Sequence, residues 1–446
     1  MSILKRIRRP MSLQQAPYLP LIVSLAWAFL ASAMLLESDV YRYAAIALLV
    51  FCWIAHRDDF KRIGGDWLAW LCLLWALYAF LRFVWGMAVH GEKGASEWLY
   101  VFPLLIPWLG ACLYATRDRL FAAVTFLMVA GFIGLLLTLD VSALVHGERF
   151  SPLYHHNPIH AAVGCGLLFI SSVYWLAFAA ETAILKTIGG KVLAATAIAT
   201  AVLCLVGIFG AKSKGVWLAF SLVFCFMSIT AVVHYGRRHM LVPGAIALLL
   251  CGVGAFVALD NVKHYAGPTI AAALHLSEQA VSEEEIEKAM ENTVSKADTP
   301  ESMRERLMLW TNALDIFLES PIIGSGNLWL AKWREAKYAD VNYTLIHNGY
   351  LEILVRHGLF GMAMLLVFVG TAFYRIRQAW KRGIIPSSLM LYLFSMSLFF
   401  FITMASNSNN RLAIGESFFL LAGAAVFAIS IMLRADARSS APTITA

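Results

Sequence analysis

Residues 192–209 read VLAATAIATAVLCLVGIF, a stretch with no charge and no proline. A segment that long and that apolar suits the hydrocarbon of a bilayer, which a helix crosses in about 17–25 residues. Lys191 before it and Lys212 after it mark its ends. Outward from this run the pattern recurs. Apolar runs lie near 20–36, 43–55, 67–87, 98–114, 120–138, 161–179, 192–209, 216–233, 241–259, 359–373, 388–404 and 417–433, the second of them short. The whole chain of 446 residues is 60% hydrophobic and 14% charged, with a mean hydropathy of +0.71. A soluble domain carries about 25% charged residues. The composition therefore excludes a soluble globular protein, a disordered chain and a disulfide scaffold. Runs this continuous also exclude an outer-membrane barrel, whose strands alternate polar and apolar positions. The fold class is an all-α polytopic membrane protein with about twelve transmembrane helices.

Orientation follows from Lys and Arg in the connections. With the N-terminus inside, as Lys5, Arg6, Arg8 and Arg9 indicate, the inner segments carry 19 basic residues and the short outer loops 6. Both termini are then expected inside. Ala31-Ser32-Ala33 resembles a signal-peptidase site. The region before the first apolar run is long and holds three prolines, so the first span is expected to be retained. All seven cysteines fall within apolar runs without metal spacing and read as small buried hydrophobes. No internal repeat and no nucleotide-binding loop is present.

The spans divide the chain into 1–259 with the first nine helices, 260–356 as one large outer loop, and 357–446 with the last three helices and a tail. The loop carries 9 basic and 15 acidic residues, a net of −6 against +13 for the rest. Its acidic excess is confined to 260–301, where SEQAVSEEEIEKAMENT reads as a solvated surface helix. A second helix follows. Thr299-Pro300 offers an N-cap with proline at the first position, and Ser302 with Glu305 offers a capping box. Met303, Leu307, Trp310, Leu314 and Phe317 form one apolar stripe, with Arg306 at its edge and Arg304 pointing away. A third helix is expected over about 341–356. There His347 shares a face with Tyr343, Tyr350, Leu351 and Leu354, so periodicity alone also allows a packed core histidine.

The stretches RLMLWTNALDIFLESPIIGSGN (306–327) and HNGYLEILVRHGLFG (347–361) resemble the superfamily of O-antigen ligases, O-antigen polymerases and protein O-oligosaccharyltransferases. The matching positions are Arg306, Trp310, Pro321, Gly324, Gly326, His347, Asn348, Leu351, Gly358 and Gly361. A further element of that pattern, arginine with leucine four residues on at the outer start of a span, appears here as SKGVWLAF, with Lys214 in the arginine's place and Leu218 after it. Lysine lacks the bidentate fork that arginine offers a phosphate. Within the superfamily the pattern is most similar to the ligases. It has one dominant outer loop between the ninth and tenth spans, a small 139–160 loop and a short tail.

The resemblance implies a bacterial inner-membrane enzyme whose active site faces the periplasm. It would move O-antigen from undecaprenyl pyrophosphate to the lipid A–core oligosaccharide. His347 would act as general base, and Arg306 and Lys214 would bind the pyrophosphate. No cofactor, metal or nucleic acid is implied, and attack without an enzyme-bound sugar would invert the anomeric centre. Candidate substrate contacts are Arg82, Lys212, Asn348, Tyr350, His156 and Arg411. Several of these have a plainer reading. Arg82 sits near the outer end of its span, where it can snorkel or hold a lipid phosphate. His155, His156 and His160 form HHNPIH without a nearby carboxylate or thiolate, so they read as a loop end or a substrate contact rather than a metal site. Arg411, in SNSNNRL, reads as topogenic or substrate-facing, and Lys212 as an aid to Lys214. The alternatives inside the superfamily are a polymerase or a protein-glycosylating enzyme. The alternative outside it is a lipid-linked glycan transporter of similar span count. A transporter would place ionisable residues near the bilayer midplane, whereas this chain keeps them outside the spans.

Overall fold

The computed structural model describes residues 18–235, 267–269, 271–273, 286–296, 299–341 and 345–439. The protein is all-α and polytopic, and among the described residues there is no strand. The principal helices are α1 (Leu19–Ala31), α2 (Val40–Ala55), α3 (Trp67–His90), α4 (Ile106–Ala115), α5 (Leu120–Thr138), α6 (Pro158–Glu181), α7 (Ile188–Gly210) and α8 (Lys214–Tyr235). They continue with α9 (Ile286–Ser295), α10 (Glu301–Glu319), α11 (Trp329–Glu335), α12 (Gly349–Lys381), α13 (Ser387–Met404) and α14 (Ala413–Ser439). Among the described residues nine helical segments are long and apolar enough to cross a membrane. A tenth is reached if α2 and the segment Arg57–Ile63, bent by 107°, count as one. The apolar run at 20–36 forms the shorter helical stretch Leu19–Met34, and the run at 241–259 lies outside the described residues.

The starts of these helices follow from local chemistry. Asp66 caps α3 by accepting from the Leu68 N–H at 3.0 Å, and Asn157 caps α6 from the Ile159 N–H at 2.8 Å with Pro158 next. Thr187 caps α7 through the Gly190 N–H at 2.9 Å. Helix α6 is the centre of the bundle. Of its most apolar window, 78% is buried, and it packs against α7 and α13. Cys52, Cys72, Cys112, Cys165 and Cys204 are buried, and Cys225 is exposed on α8. At the end of the bundle away from the large loop, Arg375 of α12 forks onto Asp66 with bonds of 2.9 and 2.6 Å. Ser430 of α14 adds a third bond to Asp66 at 2.6 Å. One buried carboxylate thereby ties α3, α12 and α14 together.

Two expectations for the loop are corrected. The third helix does not run over 341–356; it begins at Gly349. Asn348 is extended (φ −152°, ψ 109°), and its side-chain oxygen takes the Tyr350 and Leu351 N–H groups at 3.0 and 3.2 Å. A helix cannot continue back through a residue that caps it, so His347 precedes the helix instead of sharing its face. The capping box of the second helix is also absent. Helix α10 starts after Pro300 with no side-chain cap, and the Thr299 hydroxyl turns back to the Thr293 carbonyl at 2.7 Å. That bond joins α10 to α9. Met303 and Leu307 pack with Met290 and Val294, while Leu309, Ala313 and Ile316 pack with Trp329, Trp333, Ile346 and Val355. The helix is thus buried on two sides rather than one.

Helix α12 is broken at Gly358 (φ 60°, ψ −159°). The 321–326 turn packs into that break. The Leu359 and Phe360 N–H groups donate to the carbonyls of Pro321 and Ile322 at 2.8 and 2.9 Å, and Ser325 N–H donates to the Val355 carbonyl at 2.8 Å. Gly324 (φ 71°) is required there because a Cβ would lie 2.4 Å from the Arg356 carbonyl carbon. The Arg82 guanidinium clamps the same turn through the carbonyls of Ile323 and Gly324.

Candidate active site

Two side chains from separate parts of the chain come within electrostatic reach of Arg306. Lys214 opens α8, Arg306 projects from the second turn of α10, and His347 stands just before α12. The Arg306 charge acts on both Lys214 and His347. Lys214 Nζ donates to Thr269 Oγ1 at 2.6 Å. Arg304 turns the other way, to the carbonyls of Lys296 and Thr299 at 2.9 and 3.3 Å.

His347 is held in a defined state. Its backbone is left-handed, with φ 55°. Its Nδ1 lies 3.2 Å from Asn407 Oδ1, and Asn407 Nδ2 donates to Asn409 Oδ1 at 2.7 Å. Asn409 Nδ2 in turn donates to Thr403 Oγ1 at 2.9 Å. Asn407 is 2% exposed and Asn409 0%. With its amide nitrogen committed, Asn407 offers His347 an acceptor. The His347 proton therefore sits on Nδ1, and the lone pair of the neutral ring is on Nε2. Burial pulls the imidazole below the ordinary histidine range. The Asn407 bond opposes that shift, Arg306 adds to it, and Glu352 and Glu305 oppose it.

A cavity of about 500 Å³ with mixed polar and apolar walls reaches the His347 loop at Leu345, although Lys214, Arg306 and His347 do not themselves line it. Its walls include Arg42, His155, His160, Leu345 and Arg411, and the charges of His160 and His347 act on each other. Arg42 is itself pinned to Glu416 by bonds of 3.1 Å from Nε and from Nη2. A second, apolar groove of about 190 Å³ is lined by Trp75, Phe102, Phe368 and Phe419. The two meet at Leu99, Arg411 and Glu416.

The remaining sequence candidates are dispersed. Arg82 is engaged by the 321–326 turn and by the Tyr78 hydroxyl at 2.9 Å. Lys212 reaches the Gly147 carbonyl. Asn348 caps α12, and the Tyr350 hydroxyl donates to the Phe401 carbonyl at 2.8 Å. His156 is exposed and meets Glu37 only through its backbone N–H, at 3.4 Å. Of the three clustered histidines, His155 and His160 face the cavity. His155 is buried against the Met34 carbonyl at 3.2 Å. Arg411 lies over the Tyr100 ring, 5.0 Å from its centroid, at the junction of cavity and groove. Among the described residues no group of three or more His, Cys, Asp or Glu is placed to hold a metal ion. Sequence reasoning missed Asn407 and Glu352. The first was visible only as part of a polar loop between two apolar runs, the second as a lone acid in LEILV.

Residues 199–366 match the O-antigen ligase family model. The match contains Lys214, Arg306 and His347 and supports the O-antigen ligase and polymerase superfamily. That family implies glycosyl transfer with lipid-linked polysaccharide substrates. No curated protein matches the chain.

Proposed function

We propose that this protein is the ligase of the superfamily. It would join O-antigen, carried on undecaprenyl pyrophosphate, to the lipid A–core oligosaccharide at the periplasmic face of the inner membrane. The observation that carries the reading is the electrostatic reach of Arg306 to both Lys214 and His347, with His347 held as its Nδ1–H tautomer by Asn407.

The chemistry follows from that arrangement. His347 Nε2 takes the proton of the acceptor hydroxyl as its oxygen bonds to the anomeric carbon. The bond from that carbon to the pyrophosphate breaks, and undecaprenyl pyrophosphate leaves with one more negative charge than the donor carried. Arg306 and Lys214 stabilise that growing charge. The donor is already activated, so the step needs no nucleotide. Direct displacement inverts the anomeric centre. The apolar groove suits the polyprenyl chain and the adjoining cavity suits sugar, with Arg411 at their junction. Arg82, Lys212, Asn348 and Tyr350 act by holding the turn, loop and helix around the cluster, and His156 stays at the rim.

The test is transfer by the purified protein from lipid-linked glycan to lipid A–core. Product attached to the core supports ligation. Lengthened lipid-linked glycan without core product would make the protein a polymerase, and no covalent product at all would favour a transporter.

A further inference from the structure

Glu352 lies in the first turn of α12, where an acid suits the helix N-terminus. Helix formation does not explain its complete burial. Its two oxygens do different things. Oε1 accepts from the Ile346 N–H and from the Ser408 hydroxyl, each at 2.8 Å. Ile346 immediately precedes His347, and Ser408 immediately follows Asn407. One carboxylate oxygen therefore bridges the two loops whose side chains meet in the His347–Asn407 bond. Oε2 is held by Arg356 Nη1. Arg356 is 0% exposed, donates from Nε to Glu97 Oε1 at 2.9 Å and stacks 4.1 Å above the Trp329 ring. Glu97 also accepts the Trp329 indole N–H at 2.9 Å.

We propose that Glu352 is the positioning residue of this site, locking the His347 loop to the Asn407 loop so that Nε2 stays aimed at the acceptor hydroxyl. The inference rests on the reading of His347 as general base. A carboxylate is suited to the task because it accepts two hydrogen bonds at one oxygen and still binds a guanidinium at the other. The buried triad of Glu97, Glu352 and Arg356 sets two acidic side chains against one guanidinium beside the site. The charged and titratable groups that act on His347 are Glu352 of α12, Arg306 and Glu305 of α10, and His160 of α6. The two glutamates favour the imidazolium, and Arg306 opposes it. Glu352 thus also steadies the imidazolium that forms when the base takes its proton.

The experiment uses the full chain, with undecaprenyl pyrophosphate-linked glycan and lipid A–core as substrates. Glu352→Gln replaces one acceptor oxygen with an NH2 donor, so the side chain can no longer accept from the two loop donors and from Arg356 at once. The expected result is a fall in kcat of about 10-fold to 100-fold with KM little changed, since small misplacements of a catalytic group cost that much. The acid limb of the pH profile should move to lower pH, because an anion that favoured the imidazolium is gone. Ser408→Ala cuts one link without touching the charge. It should lower kcat less and leave the limb in place. Wild-type kcat and limb in Glu352→Gln overturn the proposal. A limb that moves up, toward a solvated histidine, together with lost thermal stability, shows only a structural role and overturns it too. Should Glu352→Gln not fold, wild-type kcat in Ser408→Ala decides against the bridge. Wild-type activity in His347→Ala would instead sink the general-base reading itself.

Discussion

At the scale of single residues, the proposed mechanism separates proton transfer, given to His347, from charge stabilisation, given to Arg306 and Lys214. His347→Ala should lower transfer by about 10²–10⁴-fold, the range typical of a lost general base. Expression and membrane insertion should remain near wild type, and activity above about a tenth would be too much for that role. The pH dependence carries its own sign. In the proposed mechanism the neutral ring is the active form, and burial holds His347 below the ordinary histidine range. Activity should therefore persist as pH falls through about 6.5 and decline only below it, as a profile of kcat/KM against pH would show. Arg306 and Lys214 should differ in kind. Arg306→Ala should lose most activity and Arg306→Lys recover part of it, because the planar fork is gone. Lys214→Arg should be tolerated and Lys214→Ala should not. Donor binding measured alongside membrane insertion distinguishes a pyrophosphate contact from a topological anchor. Normal donor binding by both alanine variants would remove the charge-stabilising half of the mechanism.

At the scale of elements, the sequence motif divides into two kinds of residue. Pro321, Gly324 and Gly358 do no chemistry; they let a turn and a helix break pair backbone to backbone. Gly324→Ala adds a Cβ that overlaps the α12 backbone and forces a left-handed alanine, a cost of at least about 1–2 kcal/mol. It should lower thermal stability and activity together. Asp66 is the contrasting case. Asp66→Ala leaves buried Arg375 without its fork, a loss of about 3–5 kcal/mol. Because that tie sits at the far end of the bundle, the folded fraction of Asp66→Ala should retain normal kcat. Thermal unfolding in detergent, with kcat measured below the transition, checks both.

At the scale of the whole molecule, the reaction should proceed in EDTA and without nucleotide. Loss of transfer in EDTA, restored by one divalent ion, would bring His155 and His160 into consideration as ligands. The membrane helices were legible in the sequence because lipid demands uninterrupted apolar runs, and each described run coincides with helix. The direction of Arg306, though not its role, was legible because an amphipathic stripe fixes which way a neighbour points. His347 was located by its motif, but its backbone was misread. The apolar spacing continues past Asn348, and only the side-chain cap reveals that the helix stops there. Asn407 and Glu352 escaped notice for another reason. Their meaning lies in contacts 60 and 56 residues apart along the chain, from Asn407 to His347 and from Ser408 to Glu352, and no local periodicity encodes such contacts.

The left-handed backbone at His347 sets folding against chemistry at one position. A side chain at a left-handed φ carries a backbone cost that glycine avoids, so the histidine there sets its chemistry against that cost. His347→Gly and His347→Ala lose the same imidazole and the same bond to Asn407, and they differ only in how readily they accept φ 55°. Both should be inactive, yet the glycine variant should be the more stable by about 1 kcal/mol. That pair of variants isolates the backbone cost at this position in one thermal-unfolding experiment, free of any difference in the lost imidazole.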